Sequence, residues 1–337
     1  MDITTSYGNI SGGTAGKAQR TMLKTARFRN STAKYAQNVE HPKNAGDTHK
    51  FRRYEDLPVP EAPLSETVDP AAIQPTFSEC EVTVEEYGQI LELTKKVADM
   101  HEDPVFVIEQ ERCGTAIGRC SQKVDFNALK AGTNVYYSGT ATSRATVNGT
   151  LANNDLKKIT RQLAKDGVEP ITAKIDADTG IGTQPVPEAY VGFVNTDLKA
   201  DLEDLEGWLP VHEYASGRVQ DPGELGECEG IRFIGNREAP IFLAAGYAGT
   251  AYLSGGVKVS GATACDVYPV IIIGKDSWSR VPLAGSGAAK PIVINPGKPN
   301  AGSIMGRKGY IMWLAYMSAL ITWEAGVARY EVGCTAL

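Results

Sequence analysis

The residues able to do chemistry in this sequence are few and badly spaced for it. Its four histidines, His41, His49, His101 and His212, stand apart, none at ligand spacing with a cysteine or a second histidine, so no metal site is expected. Six cysteines, at 80, 113, 120, 228, 265 and 334, form no CxxC pair and no dense framework, which predicts reduced thiols. Cys113 and Cys120 lie seven apart on one helical face and read as small core residues. The stretch DADTG (176–180) opens like a calcium loop but has Gly180 at a ligand position and Pro187 where a bidentate glutamate belongs, so it reads as a turn. GIG (180–182) lacks the third glycine of a dinucleotide fingerprint, and no phosphate loop occurs. Ser286, between glycines in AGSGA, lacks the nucleophile-elbow pattern. Asp197, Asp201, Glu203, Asp204 and Glu206 read as a solvated helix face, and the four tryptophans do not interleave with basic residues as a base-stacking platform would. No catalytic constellation and no cofactor motif emerges; the chain is not expected to be an enzyme, with a hydrolase as the remote alternative.

The elements must therefore position surfaces rather than a reaction centre. With 337 residues, 42% of them apolar, the chain can bury a sizeable core in two or three domains. The polar, Gly-rich start MDITTSYGNISGG carries no signal segment. The apolar run YIMWLAYMSALITW (310–323) has 14 residues, too few to span a bilayer, so no membrane partner is expected. The net charge of −6 is unevenly spread: residues 1–53 carry +7 and the remainder −13. The basic stretch, with Lys17, Arg20, Lys24, Arg27 and Arg29 at its centre, reads as an arm that lies near a polyanion without sequence specificity.

Residues 1–46 are low in large apolar side chains and read as that arm, with at most a short helix near 17–28. Then come a strand over 47–56, the proline-rich LPVPEAPLSETVDP (57–70), and a second strand over 77–93. Val82 and Val84 share one parity while Tyr87, Leu91 and Leu93 take the other, which predicts a β-bulge near Glu85–Glu86. These pieces make a long ribbon with a stiff, extended tip. A two-stranded ribbon is marginal alone in water, so it is expected to lie on something else. Asp103-Pro104 then opens a helix expected to run to residue 131, with Gly132 as its stop. Gly114 and Gly118 inside it cost propensity and predict a close neighbour. Further on, a short amphipathic helix is expected at 154–167 and a helix at 196–205. Residues 133–154, rich in Thr, Ser, Gly and Asn, read as a hairpin or loop; strands are expected at 189–195, 230–235, 266–274 and 290–297, and 310–332 reads as long strands, with a helix over 310–323 as the alternative.

This order of parts resembles the coat proteins of tailed phages with the Hong Kong 97 fold, and more narrowly the N-four-like major capsid protein family. The resemblance is carried by APLSETVDPAAIQPTFSECEVTVEEYGQILELT (62–94), DP (103–104), GTNVYYSG (132–139), LGECEGIRFIGN (225–236), VYPVIIIGKDSWSRVPL (267–283) and RKGYIMWLAYMSALITWEAGVARYEV (307–332). It implies an α+β fold with an N-terminal arm (1–46), an extended loop (47–98), a peripheral domain (99–132 and 289–337) built on a long spine helix, and an axial domain (133–288).

The implied role is mechanical: a major capsid protein self-assembling into hexamers and pentamers of an icosahedral virion shell around double-stranded DNA, formed in the bacterial host cytoplasm. Its partners would be further copies of itself, the packaged DNA held non-specifically, a portal, a separate scaffold, and decoration or cement proteins. Leu57, Pro58, Pro60, Pro63, Leu64 and Pro70 of the extended loop are expected at the contact between subunits, and the basic arm on the inner surface. Some relatives weld this loop to a neighbour through a lysine–asparagine isopeptide bond. Residues 51–94 here contain no lysine, so that bond is not expected. A tail-tube or other virion structural protein is the alternative within the same class.

Overall fold

The computed structural model describes residues 31–55, 57–61, 63, 72–100, 105–176, 184–215, 219, 221–248, 264–285, 290–297, 299 and 303–335. In chain order the elements are β1 (Gln37–Asn38), β2 (Thr48–Tyr54), β3 (Phe77–Thr83), β4 (Glu85–Thr94), α1 (Lys95–Met100), α2 (Val105–Leu129), β5 (Val135–Tyr137), α3 (Asn153–Lys165), β6 (Tyr190–Val194), α4 (Lys199–Glu203), β7 (Leu209–Pro210), β8 (Glu224–Cys228), β9 (Ile231–Gly235), β10 (Tyr268–Ile273), β11 (Trp278–Pro282), β12 (Lys290–Ile294), β13 (Lys308–Ile321) and β14 (Val327–Val332). A five-stranded sheet is organised on the long β13, which pairs with β4 along one edge and with β11 and β12 along the other; β1 extends it beyond β11. A seven-stranded sheet has the order β5-β14-β10-β6-β9-β8-β7, and β2 pairs β3 as a separate ribbon.

The helix α2 ties the two sheets together. Its buried residues recur as Cys113, Gly114, Ile117, Gly118, Ser121, Gln122, Asp125, Phe126 and Leu129, one stripe at helical period. Cys113 and Ile117 pack on the inward face of β13, formed by Ile311, Trp313, Ala315 and Met317. One stretch further along, Phe126 and Leu129 pack instead against Val191, Phe193, Ile271 and Ile273 of the seven-stranded sheet. Those strands carry unbroken apolar runs because the sheet is covered on both faces. Its other face, with Phe233, Val270, Ile272 and Tyr330, holds Leu156, Ile159 and Leu163 of α3 and Leu198 and Leu202 beside α4.

Two sequence expectations change. The parity slip at 85–86 is not a bulge: the chain breaks at Val84, whose N–H donates to the Asp47 carbonyl oxygen at 2.8 Å, and the strand changes partner from β2 to β13. A new partner resets which parity faces inward, so no extra residue is needed. Each of the two large sheets draws strands from both sides of residue 288. β11, within 133–288, pairs β13 in the five-stranded sheet; β14, within 289–337, pairs β10 and β5 in the seven-stranded one. The stretch 133–154, read as a hairpin or loop, supplies β5, which runs parallel to β14. Among the described residues no helix is long and apolar enough to cross a membrane.

One glycine shows how closely the seven-stranded edge is packed. A Cβ built on Gly226 would lie 2.4 Å from the Trp208 ring and 2.6 Å from the Leu209 carbonyl oxygen. Gly226→Ala should therefore destabilise the chain by about 1–3 kcal/mol, the usual cost of overpacking, read as a lower urea midpoint at unchanged slope.

Candidate assembly surfaces

The ribbon is an exposed element with no fully buried residue. β2 and β3 pair over seven residues, from Thr48↔Thr83 to Tyr54↔Phe77. Lys50–Glu81 and Arg52–Glu79 form cross-strand ion pairs on one face, the second at 2.7 Å; being solvent-exposed, such pairs stabilise it little. The Thr76 hydroxyl donates to the Glu55 carboxylate at 2.8 Å just beyond the last strand pair. Past that point the apolar residues lie in water: Val59 is 81% exposed and Ile73 58%, and Tyr54, Leu57 and Phe77 are exposed with them. Of the predicted contact residues, Leu57, Pro58, Pro60 and Pro63 are all exposed, without regular structure. Leu64 and Pro70 lie outside the described residues, as do Lys17, Arg20, Lys24, Arg27 and Arg29.

The ribbon meets its own subunit at a narrow contact, where the Arg53 guanidinium sits 3.7 Å over the Trp323 ring. Between ribbon and body runs an open groove of about 900 Å³, lined by Phe51, Arg53, Asp166, Lys275 and Trp323 among others. The sequence gives no hint of this contact, because Arg53 and Trp323 are 270 positions apart and no motif joins them.

The segment leading out of the basic arm is fixed on α2. Ser31 Oγ accepts from Asn236 Nδ2 at 3.0 Å and from Gln122 Nε2 at 3.4 Å. The Thr32 hydroxyl donates to Asp125, whose other oxygen accepts from Arg280 Nε at 2.9 Å; Arg280 also donates to Ser121. This junction joins the arm, α2 and β11. Tyr35 then packs edge-on against Phe193 at 5.9 Å.

Burial raises the Asp125 carboxyl to about 6, against the opposing pull of Arg280 and Thr32. An acid raised in the folded state holds an extra proton there between its unfolded value, 3.8, and about 6. Its contribution to stability is therefore fully present below pH 3.8 and lost as pH rises through 6. The stability of wild type relative to Asp125→Asn should fall over pH 4–7, as followed by urea unfolding in that range.

Charges elsewhere do structural work. Buried Glu331 accepts two hydrogen bonds from Arg144, at 2.8 and 2.7 Å, and pairs with Arg329 at 2.9 Å. Arg144 also stacks 3.5 Å over Phe242, and Arg329 donates to the carbonyl oxygen of Lys130, just past the end of α2. The supposed solvated acidic face is partly engaged as well: Asp201 accepts from the Thr335 N–H at 3.0 Å and Asp197 from the Tyr268 hydroxyl at 3.2 Å. Among the described residues no group of three or more His, Cys, Asp or Glu side chains converges as a metal site. Ser286 and Gly180 lie outside the described residues.

Compared with solved structures, the chain superposes over nearly its whole length on phage capsids. It matches the capsid of Ralstonia phage GP4 with a TM-score of 0.65 at 13% identity, over 91% of this chain and 92% of that one. It matches the cyanophage Pam1 capsid asymmetric unit at 0.59 and 16%, over 92% and 93%, and the capsid of the native GTA particle at 0.53 and 10%, over 92% and 91%. The chain has the Hong Kong 97-like capsid fold. No protein-family model and no curated protein matches it, so the narrower N-four-like resemblance rests on the sequence motifs alone.

Proposed function

We propose that this chain is the major capsid protein of a tailed double-stranded DNA phage, and that hexamers and pentamers of it close into an icosahedral virion shell. One observation carries the reading: a capsid fold spanning the chain, with an extended loop whose apolar tip residues are left in water by its own subunit. A lone soluble protein gains nothing from such a loop; a shell subunit lays it on its neighbour. The five-stranded sheet with the first part of α2 acts as the peripheral domain, and the seven-stranded sheet with α3 and α4 as the axial domain near the five-fold and six-fold axes.

The prolines at 58, 60, 63 and 70 keep the free loop extended, which lowers the entropy lost on docking. They also lack the N–H groups that would invite stray strand pairing. The basic arm lies against packaged DNA on the inner surface and holds it non-specifically. A separate scaffold, a portal and decoration proteins complete the particle, assembled in the bacterial cytoplasm.

Light scattering with electron microscopy of the purified protein tests this reading. Closed particles of megadalton mass support it. Open tubes would point to a tail protein, and a small oligomer would overturn it. Replacing Lys17, Arg20, Lys24, Arg27 and Arg29 by glutamine should leave shells forming and lower DNA retention, with a shallower salt dependence of release.

A further inference from the structure

We propose that His41 and His49 form an acid-opened joint between the five-stranded sheet and the ribbon. Each histidine belongs to one side of it. His41 is buried at the sheet edge, its N–H donating to the Pro282 carbonyl oxygen at 2.9 Å and its carbonyl accepting from Ala284 at 2.8 Å. His49 stands on β2 opposite Val82, at the ribbon's root. Their Nδ1 atoms are 3.2 Å apart and the rings meet edge to face, and Phe51 meets His49 edge-on at 4.7 Å between ring centres.

The geometry fixes the protons. His41 Nε2 lies 3.0 Å from the Gly46 carbonyl oxygen, which can only accept, so the proton of neutral His41 sits on Nε2. His41 Nδ1 is then a lone pair, and His49 Nδ1–H must donate to it. One added proton can go to His49 Nε2 with this bond kept, at the cost of a charge held between two rings. A second, on His41 Nδ1, would leave two N–H groups facing each other without an acceptor. The imidazoles must then part, and the ribbon's root with them.

Burial, and then His41, hold His49 below its ordinary 6.5. A base lowered in the closed state leaves the joint unaffected above pH 6.5 and penalises closure progressively below it. The other charged groups around the pair do not reverse this. Lys50 and Glu81 are joined to each other on the opposite ribbon face. Asp47 accepts from the Thr48 hydroxyl, the Lys43 amine lies beside Gly285, Glu40 is exposed, and Arg280 of β11 is turned to Asp125.

Hydrogen exchange on the full chain, in EDTA so that no metal bridges the two Nδ1 atoms, tests the joint at pH 7.5 and 5.5. After correction for intrinsic rates, protection of β2 and β3 should fall relative to the β4–β13 ladder by up to about tenfold, the ceiling set by an open-state value of 6.5 for His49. His49→Gln, whose amide can still donate to His41 Nδ1, should show no such fall. Ribbon protection that follows the ladder in wild type, or an equal fall in the variant, overturns the proposal. If the variant does not fold, nitrogen-15 NMR of histidine-labelled wild type decides. A hydrogen-bonded Nδ1–H imidazole titrating below 6.5 supports the joint, and four imidazoles titrating at the ordinary value refute it.

Discussion

Removing residues 58–70 should leave the subunit folded and abolish closed shells. Among the described residues, none of this segment belongs to the cores that stabilise the body: α2 on β13, α2 on the seven-stranded sheet, and α3 on its other face. What the deletion takes away is the extended tip, with Val59 on one side and the prolines that keep the path straight. Each large apolar side chain that passes from water into a neighbour's surface contributes about 1.5–3 kcal/mol. A contact that loses even about 3 kcal/mol is weakened by roughly two orders of magnitude. In a closed shell the loss recurs at every subunit. Circular dichroism and thermal unfolding should therefore be close to wild type, while sedimentation shows only small species. Shells of normal size from the deleted chain would remove the loop from any role in assembly.

Glu331→Ala should be the most damaging single substitution in the body. The carboxylate is fully buried and neutralises two arginines, Arg144 and Arg329. Breaking such a pair from one side leaves the partner charges without compensation, typically a loss of about 3–5 kcal/mol. Here it would also free the loop bearing Arg144 and loosen the end of α2, where Arg329 reaches the Lys130 carbonyl. Adding Arg144→Met should recover part of the loss, because one stranded charge goes with it. The same size of effect in the single and double variants would show that Glu331 acts through packing rather than charge. Urea unfolding of wild type, Glu331→Ala, Arg144→Met and the double variant gives the coupling energy directly.

Much of this molecule is legible in its amino-acid sequence, for identifiable reasons. The stripe from Cys113 to Leu129 at helical period marks a helix whatever surrounds it. The runs YVGFV and YPVIII, wholly apolar and short, mark strands covered on both faces. The prolines at 58, 60 and 63 work against regular structure, because proline fixes its own backbone and restricts the residue before it, and the described residues 57–61 and 63 have none. Partners are harder. Local pattern says that residues 77–93 are extended and change parity, but only the neighbours β2 and β13 decide that the change is a break. In the same way β14 is legible as a strand of the C-terminal third and β11 is not among the expected strands, while the sheets of both depend on pairings across 35 residues or more. The surface contacts are less legible still. Arg53 on Trp323, His41 against His49 and Glu331 between two arginines join side chains of common type, and no spacing in the sequence brings them together. The absence of a metal-ligand spacing is visible; the contact of two histidines eight residues apart is not, since it depends on the turn at 42–47 between sheet and ribbon.

Cryo-electron microscopy of particles assembled from the purified full-length chain bears most directly on the idea that this subunit is completed by its neighbours. The expected map shows closed shells in which residues 57–76 of each copy lie across an adjacent copy, with Val59 and Ile73 buried in that contact. Monodisperse single subunits at high concentration, with the same residues packed on their own body beside Trp323, would contradict it.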